Sequence, residues 1–233
     1  MLTLNSEKYL KLTKQSIEKY DLETVEIKDA YFLSLNFCIQ QINAGKTSYN
    51  NEMFEMYQTG ISKGILLKNG KLSAITFSNI ANIGLRLKRY DEVENFISDN
   101  KELLIGSEKK SYYAFNLAKV FFEKGDYEEV TKLYNEKLIK EILLNIQMRI
   151  LQIKAFYELK EFEICDSLLK STDQILNRKG ILAYHKLVFK KFIKLMKLLL
   201  KINSFDKNSR QHFKNTIHNT EKLIEKDWLL SKL

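Results

Sequence analysis

Apolar residues recur every three or four positions along almost the whole chain, whereas the alternation of apolar and polar residues that is typical of a half-buried strand is scarce. This pattern predicts an all-α protein with about eleven helices. The absence of proline agrees with it, because proline breaks helix interiors. The predicted helices span about 6–20, 29–43, 50–63, 73–87, 90–98, 107–124 or 111–124, 127–137, 140–159, 162–170 and 182–202, and a last helix follows residue 209.

A tight turn is predicted before the fourth helix. Asn69 and Gly70 both tolerate the left-handed backbone conformation, and Ser73 stands where the following helix needs an N-cap. Gly125 and Gly180 stand at other predicted helix ends, where a left-handed cap costs least for glycine.

Three segments of the chain share one pattern. Each has a small or aliphatic residue inside a helix, an aromatic residue after a short turn, and a further apolar residue one helical turn later. Equivalent aromatic residues are 37 and 35 positions apart, the period of stacked helical hairpins. Because each turn has only two or three residues, the two helices of a hairpin must lie antiparallel. The equivalent residues are Ala81, Tyr90 and Val93, then Ala118, Tyr127 and Val130, then Ile153, Phe162 and Cys165.

This pattern resembles the tetratricopeptide repeat. In that family, small residues of the two helices face each other where the backbones approach closely, and the aromatic residue fills the space beside them. The turn 125–127, Gly-Asp-Tyr, matches the family's usual turn. The third copy departs from the pattern at Ile153, and no copy ends in the family's typical proline. The resemblance covers about residues 74–170 and implies a right-handed α-solenoid of antiparallel helical hairpins.

A single solenoid domain is therefore expected over residues 1–233, closed by a long basic helix and a capping helix. Without such a cap, the last hairpin would leave its apolar face in water. The expected divisions are N-terminal helices at 1–65, repeat hairpins at 72–170, and the basic helix and C-terminal cap at 172–233.

The resemblance also implies a function. In the family, the first helices of successive hairpins line a concave groove that holds extended or helical peptides. This chain is accordingly expected to be a non-catalytic protein–protein interaction scaffold or adaptor, with a protein or peptide partner that the sequence does not identify. The residues that would face the groove are Asn82, Arg86, Tyr112, Lys119, Phe122, Lys154 and Tyr157.

The formal net charge of +9 is concentrated at one end of the chain. Residues 1–178 carry 25 Lys and Arg against 25 Asp and Glu, whereas residues 179–233 carry 13 against 4. Residues 179–205 contain no acidic residue, although a solvated helix usually mixes both signs to gain salt bridges. The lysines of the predicted basic helix recur at helical spacing and form one stripe: Lys186, Lys190, Lys194, Lys197 and Lys201.

Two interpretations of this lysine stripe stay open. Lysine is a good helix former that solvates the outer face of an amphipathic helix, so the stripe is explained without any ligand. Alternatively, it binds a polyanion, which could be nucleic acid, an acidic protein segment or a membrane surface. Lysine lacks the forked geometry that reads bases, so binding to nucleic acid would be sequence-nonspecific. Such binding is the alternative function for this chain.

Residues suited to catalysis are sparse. The only histidines are His185, His212 and His218, and the last two lie on different faces of one predicted helix. Cys38 and Cys165 fall within apolar helical patterns and belong to no metal-binding cluster, so we expect packed thiols. No enzyme activity, metal or cofactor is expected.

The sequence predicts a cytoplasmic location. Charged residues follow within a few positions of Met1, unlike in a signal peptide. No stretch reaches the roughly 18 apolar residues that a membrane-spanning helix needs, so no transmembrane segment is expected.

Overall fold

The computed structural model describes residues 3–19, 25–106, 109–134, 139–177, 180–202 and 206–233. Within these residues the prediction of an all-α protein is confirmed: the chain forms twelve α-helices and one short 3₁₀ helix, and no strand. Backbone pairing between extended residues is limited there to two isolated bridges. The chain forms two compact units, Met1–Lys124 (unit 1) and Gly125–Leu233 (unit 2).

Unit 1 contains six α-helices, and each packs against the next one in sequence. Helices α4 and α6 also pack against each other directly. Periodicity located these helices to within a few residues, because their buried positions recur at helical spacing. The helices are α1 (Thr3–Lys19), α2 (Val25–Asn43), α3 (Tyr49–Ser62), α4 (Ala74–Arg86), α5 (Tyr90–Asn100) and α6 (Lys109–Lys124), with the 3₁₀ helix at Lys101–Leu103.

The predicted turn before α4 is present. Asn69 and Gly70 both have positive φ, at 52° and 70°, and the flanking residues Lys68 and Lys71 form an antiparallel bridge. The Ser73 side chain then accepts a hydrogen bond of 3.0 Å from the backbone N–H of Thr76. That bond satisfies one of the free donors at the start of the helix, as an N-cap should.

Close packing of α4 in unit 1 depends on Gly84. A Cβ atom at this position would lie 2.2 Å from Val93 Cγ2 and 2.8 Å from the ring of Phe54, which is closer than real side chains approach. Ala81 and Val93, which the repeat pattern pairs, are both completely buried. The pattern does not include Gly84, although an isolated glycine inside a helix usually has such a packing reason.

Unit 2 contains α7 (Tyr127–Lys132), α8 (Ile142–Glu158), α9 (Phe162–Leu176), α10 (Ala183–Leu199), α11 (Lys207–Asn219) and α12 (Lys226–Leu230). Here too, α8 to α11 each pack against the next helix in sequence. Helix α9 continues six residues beyond its predicted end at Lys170, because Thr172, Ile175 and Leu176 extend its buried face.

The single last helix that the sequence predicted is two helices. Helix α11 ends at Asn219, and α12 begins only at Lys226. Between them, Lys222 and Glu225 have left-handed backbone conformations, with φ of 51° and 56°, which a continuous helix does not allow.

Three turns of the chain share one backbone conformation. The residue two positions before each repeat aromatic has positive φ: 58° at Lys88, 89° at Gly125 and 63° at Lys160. The next residue has φ between −83° and −88° and ψ between 56° and 64° in all three copies. Each repeat aromatic is then the first residue of its helix. The sequence pattern therefore marks a repeated local structure, although only one copy has glycine at the left-handed position.

The third copy shows how closely two backbones approach. The thiol of Cys165 donates a weak hydrogen bond of 3.6 Å to the backbone carbonyl of Ile153, and both residues are completely buried. Burial raises the pKa of this thiol to about 12, so it stays protonated. Phe162, in contrast, is 48% exposed and stacks only against the ring of Tyr157.

Candidate interaction surfaces

The first candidate surface lies in unit 1, where α4 and α6 pack together. We call it the α4/α6 surface, formed by Asn79, Asn82 and Arg86 of α4 with Phe115 and Lys119 of α6. Lys119 Nζ donates a hydrogen bond of 2.5 Å to Asn82 Oδ1, so two residues predicted to line the groove are in direct contact. The ammonium group also lies 4.8 Å from the centre of the Phe115 ring.

Buried hydrogen bonds hold this surface in place. Asn116 of α6 is completely buried, and its side-chain amide donates to Ser78 Oγ of α4 at 3.0 Å and to the carbonyl of Tyr112 at 2.8 Å. The first bond joins the two helices and the second is within α6. Since an unsatisfied buried donor would be costly, the bond from Asn116 to Ser78 helps to fix the positions of α4 and α6 relative to each other.

The charge on Lys119 is poorly compensated. Its side chain is partly exposed, yet burial lowers the pKa of the ammonium group to about 7. Among the described residues, neither Lys119 nor Arg86 lies within ion-pair distance of a carboxylate, whereas Lys124 pairs with Asp91 and Glu94. The α4/α6 surface thus carries two basic side chains without counter-charges, of which Lys119 is only about half protonated near pH 7.

A cavity adjoins the α4 side of this surface. It has a volume of about 200 Å³ and lies between α2, α3 and α4. Asn82 and Arg86 form part of its rim, and both are exposed. Its apolar lining comes from Ile39, Ile42, Met53 and Ile83. Sequence reasoning had no signal for the contribution of α2, because the repeat pattern starts only at α4.

Two predicted groove residues of α6 have other surroundings. Phe122 is buried, with 7% of its surface exposed, so it contributes to packing more than to an open surface. Tyr112 is partly buried, and its backbone carbonyl accepts the hydrogen bond from Asn116. Of the predicted groove residues in unit 1, Asn82, Arg86 and Lys119 remain accessible.

Unit 2 covers its own predicted groove residues. The covering part is the C-terminal segment, defined as residues 221–233. The side chain of Lys154 is only 6% exposed, and its ammonium group lies 2.6 Å from a carboxylate oxygen of Glu225. The same group lies 5.5 Å from the centre of the Trp228 ring. The ring of Tyr157 meets that of Trp228 edge-on, with 5.6 Å between centres.

Glu158 of α8 completes this contact. Its carboxylate accepts a hydrogen bond of 2.7 Å from Trp228 Nε1 and forms an ion pair with Lys232. Leu229 of the same segment is completely buried in the unit 2 core. The C-terminal segment was expected to cover the end of a last hairpin. Three of its side chains contact the face of α8: Glu225 pairs with Lys154, Lys232 pairs with Glu158, and Trp228 donates a hydrogen bond to Glu158.

The lysine stripe of α10 is partly engaged within unit 2. Lys194 and Lys201 are exposed, whereas Lys186, Lys190 and Lys197 are partly buried. Lys190 donates to Asn177 Oδ1 at 2.7 Å, and Lys197 lies 3.7 Å from Asp173. Binding of nucleic acid to this stripe stays a prediction, with two of its five cations fully available.

Groups for catalysis or metal binding are sparse in the part of the chain that the structure describes. No three His, Cys, Asp or Glu side chains there are placed to hold a metal ion. Cys38 and Cys165 are both buried free thiols, as predicted, and burial raises the pKa of Cys38 to about 11.

No helix formed by the described residues is long and apolar enough to span a membrane. Comparison of the sequence with protein-family models and with curated proteins gave no match.

Proposed function

We propose that this chain is a non-catalytic protein–protein interaction module that holds a segment of a partner protein on the α4/α6 surface of unit 1. The carrying observation is a pair of basic side chains without counter-charges, Arg86 and Lys119, with Arg86 on the rim of a cavity that has an apolar lining. Exposed cations are common, but here one of them is held by a neighbouring amide and an aromatic ring. Such a fixed side chain loses little further freedom when a ligand binds.

The proposal includes the architecture that the sequence suggested. A right-handed solenoid related to the tetratricopeptide repeat is supported by the packing of consecutive helices, by the direct contact of α4 with α6, and by the three turns of equal conformation. In such an array, the first helices of neighbouring hairpins form a continuous binding surface.

The chemistry of the α4/α6 surface defines the partner segment. A carboxylate of the partner would face Arg86 and Lys119, and an aliphatic side chain beside it would enter the cavity next to Ile42 and Met53. Exposed amides at Asn79 and Asn82 could pair with the partner's backbone. We therefore propose an acidic segment that also carries an aliphatic side chain.

The test is affinity capture from native lysate with the full chain, followed by identification of the retained proteins. The wild type is compared with R86E/K119E and with the control K63E/K68E, which makes the same charge change at exposed lysines elsewhere in unit 1. We expect a partner that the wild type and the control retain and that R86E/K119E loses. Equal capture by all three proteins would contradict the proposal.

A further inference from the structure

The outer face of α10 carries exposed apolar side chains among its lysines. Leu187 is 52% exposed and Leu198 is 41% exposed, although both belong to a helix whose other apolar residues form the unit 2 core. At 100° per residue, these two leucines lie within about 20° of each other around the helix axis. At the start of the helix, Leu182 and Tyr184 are exposed as well.

Lysines border this apolar ridge on both sides. Within α10, Lys194 lies roughly 20° to 40° from the leucines on one side, and Lys191 lies about as far on the other, whereas Lys201 follows the end of the helix at Leu199. Lys194 and Lys201 are exposed, whereas Lys191 donates a hydrogen bond to the backbone carbonyl of Glu221. No acidic residue occurs between positions 179 and 205 to oppose these cations.

A cavity continues the ridge toward α11. It has a volume of about 420 Å³, and Leu198, Ile202 and Phe213 give it an apolar lining. Lys201 and His212 also line it, and both are exposed. An amphiphilic ligand suits a cavity that combines apolar walls with exposed basic side chains.

We propose that this α10 surface docks the protein on an anionic phospholipid bilayer. Leu187 and Leu198 would enter the boundary between headgroups and acyl chains, where burial of apolar area is favourable. Lys194 and Lys201 would lay their aliphatic stems along the same boundary and place their ammonium groups at the lipid phosphates. The arrangement of an apolar ridge between cations is that of a helix lying in a membrane interface.

Nucleic acid fits this surface less well. The phosphates of nucleic acid attract the lysines as lipid phosphates do. They provide no apolar surface against which the two half-exposed leucines could be buried. With only Lys194 and Lys201 fully exposed, few phosphates would be neutralised and binding would be weak. The leucines therefore favour the lipid surface and also distinguish the two ligands experimentally.

The test is co-sedimentation of the full chain with phosphatidylcholine vesicles, with and without about one third phosphatidylserine. Three variants are compared with the wild type: K194E/K201E, L187S/L198S and the control K63E/K68E. All these positions are exposed, so circular dichroism should show unchanged folding. A parallel titration with a duplex oligonucleotide measures binding to nucleic acid.

We expect the wild type and the control to bind only the anionic vesicles, more weakly as salt is added. K194E/K201E should lose at least about tenfold in partitioning, since each lysine near an anionic surface contributes roughly fivefold. L187S/L198S should lose a similar factor. The proposal is overturned if L187S/L198S binds vesicles like the wild type, or if the wild type binds the oligonucleotide but not the vesicles.

Discussion

Lys119 in unit 1 and Lys154 in unit 2 occupy equivalent repeat positions, 35 residues apart, and have opposite surroundings. Lys154 is covered by the C-terminal segment of its own chain, which brings it a carboxylate from Glu225 and the ring of Trp228. Lys119 has an amide oxygen and an aromatic ring but, among the described residues, no carboxylate. In unit 2, a carboxylate and an aromatic ring surround the lysine at this position. In unit 1, the described residues supply the ring but not the carboxylate.

This difference explains why the α4/α6 surface is the better candidate for a partner. A surface that is covered by a segment of its own chain must release that segment before it can bind a partner. Lys154, whose side chain is only 6% exposed, would have to lose an ion pair first. The α4/α6 surface needs no such rearrangement, and a partner's carboxylate would supply what Glu225 supplies in unit 2.

The largest effect is expected from Trp228→Ala, which tests whether the C-terminal segment holds unit 2 together. The substitution removes the ring over Lys154 and the hydrogen bond to Glu158. Because Trp228 is only partly buried, we expect a loss of about 2–3 kcal/mol in the free energy of unfolding, below the range for fully buried tryptophan. Chemical denaturation followed by circular dichroism measures it, and an unchanged midpoint would contradict this role.

Glu225→Gln should have the next largest effect. It removes the carboxylate that lies 2.6 Å from the buried ammonium group of Lys154, and Glu225 itself is partly exposed, which reduces the penalty. We expect a loss of about 1–2 kcal/mol in unfolding free energy. The double variant K154M/E225Q serves as the control, since it removes both charges and should recover most of that loss. Equal stability of the single variant and the wild type would show that the ion pair contributes nothing.

The repeated turns allow a comparison at matched positions in the two units. Replacing Lys88 or Lys160 by glycine should raise the unfolding free energy by about 0.5 kcal/mol each, because glycine adopts positive φ without strain but has more freedom in the unfolded chain. Gly125→Ala should lower it by about 1 kcal/mol for the converse reason. Thermal unfolding of the three variants checks these signs, and a stabilising Gly125→Ala would be inconsistent with a left-handed turn.

A further expected effect is a pH dependence of stability through Lys119. Its pKa is about 7 in the folded chain and near the ordinary 10.5 when unfolded, so the unfolded state binds more protons between these pH values. Stability should therefore rise from pH 7 to about pH 10 in the wild type, and this contribution should vanish in Lys119→Met. Denaturation midpoints at several pH values compare the two proteins, and identical slopes would show that the folded-state pKa is not lowered.

Local patterns predicted most of the fold. The helices of both units, the cap at Ser73 and the left-handed turn at Asn69 and Gly70 depend on residues close together in sequence, so periodicity and turn chemistry suffice to find them. The contact between Asn82 and Lys119 also follows from the repeat, because both residues hold the same position in successive copies.

Contacts between residues far apart in sequence have no comparable local sequence signal. Lys154 and Glu225 are 71 positions apart, and nothing in the sequence around Lys154 indicates that it is covered. The break after α11 depends on left-handed conformations at Lys222 and Glu225, for which lysine and glutamate give no local signal. Likewise, spacing placed the stripe lysines on one face but could not show that Asn177 and Asp173 engage two of them.

The packing of each helix against its neighbour in sequence also has a kinetic consequence. Contacts between consecutive helices close only short loops, so little chain entropy is lost before the first stabilising contacts form. Chains dominated by such local contacts fold on the order of microseconds to milliseconds. In unit 1, any adjacent pair from α1 to α6 can serve as the starting point, and the remaining helices can add to it one at a time.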